Sequence, residues 1–160
     1  MKKLITLSIA FLLLSCNDGD FDVPIFEFTS KVESCGEYIL YIANSNNTEV
    51  LALNLSTSHI NTDLGENSFA ISTSMVNYRI FAEGIGANYY CTAIPPSSPK
   101  VLKELIAQSG MIHITTSEII TDDVLTGYNY TITISDLLFN DNDERIFLEN
   151  LEFGDFIVNL

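Results

Sequence analysis

The chain is 160 residues long and carries 21 Asp and Glu against seven Lys and Arg, a formal charge of −14 at neutral pH. This balance excludes a nucleic-acid-binding role, because phosphate contacts need clustered cations, and Lys31, Arg79, Lys100, Lys103 and Arg145 are scattered. An anionic membrane surface is disfavoured for the same reason, and the length suits a single domain that buries its own core.

At the N-terminus, Met1-Lys2-Lys3 is a short positive segment, and Leu4 to Leu14 is an uninterrupted run of apolar and small residues. That is the layout of a secretory signal. As a helix the run spans about 16 Å, roughly half of a hydrocarbon core, so cleavage is expected rather than a permanent transmembrane helix. The run ends in Leu13-Leu14-Ser15-Cys16, which matches the lipobox: aliphatic, tolerant, small, cysteine. The cysteine thiol takes a diacylglycerol thioether, and a small residue before it lets the signal peptidase approach. Residues 1–15 are therefore expected to be removed, leaving Cys16 as the lipidated first residue, held to the membrane by acyl chains at ~0.8 kcal/mol per buried CH₂. Lys2 and Lys3 leave with the signal, so five basic residues face 21 acidic ones, a formal charge of −16.

Residues 16–22 read as the lipidated cysteine and a short acidic tether, and residues 23–160 as one folded domain. From Val23 onward the pattern is β. Pro24 to Phe28, Tyr38 to Ile42 and Val50 to Leu55 are rich in β-branched and aromatic residues and bounded by Gly, Asn and Ser, with Asn44 to Asn47 a turn. Ser68 to Ser74, Val76 to Ala82 and Met111 to Ser117 continue the pattern. Ile94-Pro95-Pro96-Ser97-Ser98-Pro99 reads as an extended, stiff connection. Val101 to Gln108 fits either a helical face or a two-sided strand, and the strand is the preferred reading. Tyr128 to Ile134 alternates cleanly. Arg145 to Leu148 and Phe153 to Val158 are expected as two further strands, joined around Gly154. The expected fold is all-β: a single antiparallel two-sheet β-sandwich, immunoglobulin-like.

Two cysteines remain beyond Cys16. Export would place Cys35 and Cys91 in an oxidising compartment, which predicts a disulfide across a sequence separation of 56 residues; two buried free thiols are the competing reading. Asn140-Asp141-Asn142-Asp143-Glu144 gathers oxygen ligands, and Asp141, Asp143 and Glu144 are weak candidates for Ca²⁺. The run departs from the EF-hand pattern, with Arg145 and Ile146 where an oxygen ligand and the turn Gly belong, so a polar hairpin turn is the preferred account. Asp122-Asp123 is a weaker case of the same kind. His59 and His113 are the only histidines and read as unrelated surface residues. Serine- and cysteine-nucleophile motifs are absent, and no catalytic residue or cofactor is assigned. Tyr89 and Tyr90, with Tyr78 and Tyr128, suggest either an aromatic platform or the core and rim tyrosines of a β-sandwich.

Cys16-Asn17-Asp18-Gly19-Asp20, Cys35-Gly36 before a Tyr-rich strand, Tyr90-Cys91 followed by Ile94-Pro95-Pro96, and Ser109-Gly110 leading into a strand carry a resemblance. In these features the chain resembles the short uncharacterised lipoproteins of flavobacteria and related Bacteroidota. The resemblance implies a β-sandwich on the outer membrane and transfers no catalytic residue. Acids just after the lipidated cysteine resemble the signal for the outer face of that membrane. Asp18, Asp20 and Asp22 fit it, although Gly19 and Phe21 interrupt them, which leaves a periplasm-facing orientation open. The expected function is that of a non-catalytic, membrane-anchored surface protein that binds a protein or glycan partner or organises the envelope. The alternatives are a calcium- or small-ligand-binding module using Asn140–Glu144, and a hydrolase with a carboxylate site.

Overall fold

The computed structural model describes residues 21–22, 26–36, 38–92 and 94–160. Among the described residues nine strands run in chain order: β1 (Phe21–Asp22), β2 (Glu33–Cys35), β3 (Ile39–Ala43), β4 (Glu49–Asn54), β5 (Gly65–Ala70), β6 (Val76–Phe81), β7 (Val101–Thr121), β8 (Val124–Asp141) and β9 (Glu144–Asn159). A 3-10 turn lies at Tyr89–Cys91. The strands form one sheet in the order β1-β9-β8-β7-β6-β4-β3-β2, with β5 also on β7. All pairings are antiparallel except that of β1 with β9. The all-β, antiparallel expectation holds. The layering is that of one curled sheet in which β7 serves both halves, rather than the two separate sheets of an immunoglobulin-like sandwich.

Strand chemistry follows from what covers each face. β3 and β4 are buried on both sides, which is why Leu40-Tyr41-Ile42-Ala43 and Val50-Leu51-Ala52-Leu53 are continuous apolar runs. Leu40, Ile42, Leu51 and Leu53 face the main core, whereas Tyr41, Ala43, Val50 and Ala52 face a second core closed by Phe81, Ile85 and Tyr89. The long strands instead alternate. Ile112, Ile114, Ile132 and Ile134 are buried in the main core, while Thr115 and Thr131 are exposed on the outer face.

The curl originates within β7. Its first part, Val101–Ile106, pairs with β6; from Ala107 it pairs with β8, and over Met111–Thr116 with β5. Register shifts flank Ser109 on both sides. Gly110 has φ +143°, and Asp136 on β8 has φ +53°. A Cβ on Gly110 would lie 2.7 Å from Ile71 Cδ1 and 3.1 Å from the Ser135 carbonyl oxygen. Only glycine fits a corner that tight, and bulges of this kind increase local twist and bend.

Several expectations need correction. Phe26 to Phe28 is not a strand; it is irregular chain whose rings pack on the main core, Phe26 meeting Tyr78 edge-on at 4.8 Å between centroids. Val23 to Ile25 lie outside the described residues. Phe21 and Asp22, read as tether, pair instead with Arg145 and Ile146 on the open edge of β9. The two expected C-terminal strands are one, because Gly154, at φ +122°, absorbs a one-residue bulge without breaking the ladder. Val101 to Gln108 is strand, continuous with Met111 to Ser117.

Candidate functional site

Residues 1–20, and with them the expected signal segment, Cys16 and the acids Asp18 and Asp20, lie outside the described residues. Cys35 and Cys91 form the expected disulfide, tying β2 to the 3-10 turn across a separation of 56 residues. The acidic run resolves into a two-residue hairpin loop: Asp141 pairs with Glu144 across the turn, and Asn142 adopts φ +57°. Asp141 accepts a salt bridge from Lys103, and Asn142 Nδ2 donates to Asp141 Oδ1 at 3.3 Å. Asp143 and Glu144 are exposed. Asp122 and Asp123 form the β7–β8 turn, both with left-handed φ, the geometry of a type I′ hairpin. Among the described residues no group of three or more His, Cys, Asp or Glu side chains converges as a metal-holding set.

The two histidines, far apart in sequence, both meet β5. His59 stacks on Phe69 at 4.3 Å, and its Nδ1 lies 3.0 Å from Ser56 Oγ. His113 Nδ1 lies 2.8 Å from Ser68 Oγ and 3.5 Å from Glu66 Oε1, and its Nε2 lies 3.1 Å from Ser135 Oγ. Ser68 and Phe69 alternate, so the histidines sit on opposite faces of the sheet. The Ser135–His113–Glu66 sequence of contacts is assembled from β8, β7 and β5, which is why no contiguous motif announces it. It lies on the outer face of the sheet and couples β5 to its neighbours.

The tyrosines do not build one platform. Tyr78 lies in the main core and donates to Glu49 Oε2 at 2.6 Å, and burial followed by that carboxylate pushes its hydroxyl pKa up. Tyr89 lies in the second core, and Tyr128 packs on the main one. Tyr90 packs between Tyr41, tilted at 5.0 Å between centroids, and Tyr89, edge-on at 5.2 Å, and the Arg79 guanidinium lies 5.9 Å from its centroid. Burial, the largest cause, pushes the Tyr90 pKa up to about 12.

Beside this aromatic group a cavity of about 130 Å³ opens between β2, the end of β3 and the Ile85–Ala87 segment. Tyr41, Ala43, Ile85 and Ala87 supply its apolar lining, and Ser30 and Glu33 polar groups. Sequence reading missed it, because Glu33 and Tyr41 meet only through the β2–β3 register.

The sheet also has two distinguishable ends. β1 runs parallel to β9 at its start, so the chain enters Phe21 from the end that carries the β8–β9 turn. The sixteen residues of β9 follow a path of at most about 50 Å to the end that carries the β7–β8 turn. There Ile120, Val124 and Ile157 are 60%, 61% and 54% exposed. Among the described residues no helix is long and apolar enough to cross a membrane. Comparisons with protein-family models, with curated protein sequences and with solved structures gave no significant match.

Proposed function

We propose that this protein is a lipid-anchored, non-catalytic binding protein of the outer membrane, facing the cell surface. The observation that carries the reading is the entry of the chain at one end of a long sheet. With Cys16 lipidated, the four residues between it and Phe21, five Cα–Cα steps, reach at most about 18 Å, so the β8–β9 end stands near the membrane. The opposite end, with its exposed Ile120, Val124 and Ile157, is then held tens of ångströms out, where a protein or glycan can meet it. The resemblance to flavobacterial lipoproteins supports the same location.

The anchor is tested by Cys16→Ser together with labelling by an alkyne fatty acid. Loss of both label and membrane fractionation is the expected result, and a substituted protein that still fractionates with the outer membrane sinks the reading. Protease shaving of intact cells decides the face: cutting while an internal periplasmic control survives supports surface display, and protection places the protein inside the envelope. The non-catalytic part has its sharpest challenge at Ser135. Labelling of Ser135 by a fluorophosphonate, lost in His113→Ala, would make the outer-face contacts a hydrolase site and overturn this part of the proposal.

A further inference from the structure

We infer that the cavity between β2 and the Ile85–Ala87 segment is a binding site for a primary alkylammonium group, such as a lysine side chain or a small free amine. The inference gives the proposed binding function a ligand class, yet its geometry does not depend on the anchor.

Several polar groups around the cavity are already engaged. The Tyr41 hydroxyl donates to the Ala87 carbonyl at 3.0 Å, and Ile85 N–H donates to the Asn47 carbonyl at 2.9 Å. Ala43 N–H donates to Ser30 Oγ at 2.7 Å, and the Ala43 carbonyl accepts from Thr29 and Ser30 N–H. Glu33 differs from these groups. Its carboxylate lies across from Tyr41 in the β2–β3 register and makes no ion pair or hydrogen bond with a described residue. Its charge reaches the Tyr41 hydroxyl, whose pKa is raised first by burial and then by Glu33.

A cavity of about 130 Å³ matches a chain of four or five heavy atoms. The methyl groups of Ala43 and Ala87 and the Ile85 side chain favour methylenes over water, and the solvent-exposed Glu33 carboxylate, without an ion pair among the described residues, offers a cation a partner at one end. Anions are opposed by Glu33 and by the chain's net charge of −14. A quaternary ammonium is a poorer match, since it cannot donate a hydrogen bond to Glu33. The disulfide fixes both sides, joining the strand that carries Glu33 to the turn that follows Ala87.

The test is a titration of the full chain, purified in detergent, with n-butylammonium chloride while the methyl resonances of Ala43, Ile85 and Ala87 are followed. Saturable shifts confined to these methyls are expected, with a dissociation constant on the order of millimolar for so small a ligand. n-Butanol should bind at least about tenfold more weakly, as should n-butylammonium to Glu33→Gln. Glu83→Gln, which removes a nearby carboxylate outside the cavity, should leave binding unchanged. Nα-acetyl-lysine N-methylamide separates the two sources: tighter binding than n-butylammonium points to a partner's side chain, and weaker binding to a free amine. Equal binding of n-butanol, an unchanged constant in Glu33→Gln, or no saturation overturns the inference. Cys16→Ser protein should titrate identically, so failure of the anchor and failure of the pocket are read separately.

Discussion

Replacing Gly110 by Ala tests whether the corner in β7 sets the curl of the sheet. Gly110 holds φ +143°, a region that L side chains enter at a cost of about 1–3 kcal/mol. The added Cβ would also stand 2.7 Å from Ile71 Cδ1, 3.1 Å from the Ser135 carbonyl oxygen and 3.2 Å from Leu137 Cα. The isoleucine methyl can turn away, but the two β8 backbone atoms yield only if the strand shifts. Together these contributions come to about 2–4 kcal/mol, and for a chain of this size each kcal/mol moves Tm by about 2–4 °C. Thermal melting followed by circular dichroism should show Tm lowered by about 4–16 °C. Ile71→Val combined with Gly110→Ala should recover only a small part, because it relieves one contact and leaves the backbone strain. Gly86→Ala is the control, since nothing lies within 4 Å of its added Cβ. If Gly110→Ala melts within about 2 °C of the wild type, the corner is not what bends the sheet and the argument fails.

The disulfide closes 56 residues, which on chain entropy stabilises by about 4 kcal/mol. A Cys35→Ala/Cys91→Ala double variant should melt correspondingly lower and be cut first by protease within residues 82–100. Tyr41, Tyr78 and Tyr90 all have raised pKa values, so the folded state holds their protons more tightly than the unfolded chain does. Their contribution is intact below about pH 10 and is lost as pH climbs from there through the folded values. Absorbance near 295 nm should therefore show Tyr41, Tyr78 and Tyr90 ionising only above about pH 10, as the protein unfolds; their ionisation at an ordinary tyrosine pKa in a still-folded chain would contradict this. Asp141→Asn breaks the Lys103 salt bridge at a partly exposed site and should cost less than about 1 kcal/mol by urea denaturation. Millimolar Ca²⁺ should leave Tm unmoved, since Lys103 already occupies Asp141, and a rise of several degrees would restore the cation reading of the turn.

Strand chemistry was legible wherever one rule acted alone. Tyr128 to Ile134 alternates because one face of β8 is buried and the other is solvated, and Val50 to Leu53 is continuously apolar because two cores enclose β4. The strand ends were less legible. β7 and β9 contain Gly110 and Gly154, which as sequence read as breaks, yet in the structure they let long strands bend without stopping. Phe26 and Phe28 have strand composition but supply rings to the core from irregular chain. The disulfide was accessible by elimination, two cysteines having one possible pairing. The Glu33–Tyr41 cavity and the Ser135–His113–Glu66 contacts were not, since both arise from cross-strand register between segments separated by turns of unpredictable geometry.

The proposed N-terminal address and the cavity would be linked by redox chemistry. A cysteine pair of this kind persists in an oxidising compartment and stays reduced in the cytosol. On the export reading, the same signal that directs Cys16 to a membrane also delivers Cys35 and Cys91 to conditions in which their disulfide closes. That bond holds Tyr89–Cys91 against β2, and so fixes the Ile85–Ala87 segment opposite Glu33. Without the disulfide, only the Tyr41–Ala87 and Ile85–Asn47 hydrogen bonds and the packing of Ile85 and Tyr89 in the second core would hold the segment, with no covalent tie to the edge strand. Edge strands of three residues have few ladder bonds to hold them. Loss of the disulfide should therefore loosen Glu33 more than the apolar wall, weakening selection for a cation before it weakens the affinity for methylenes.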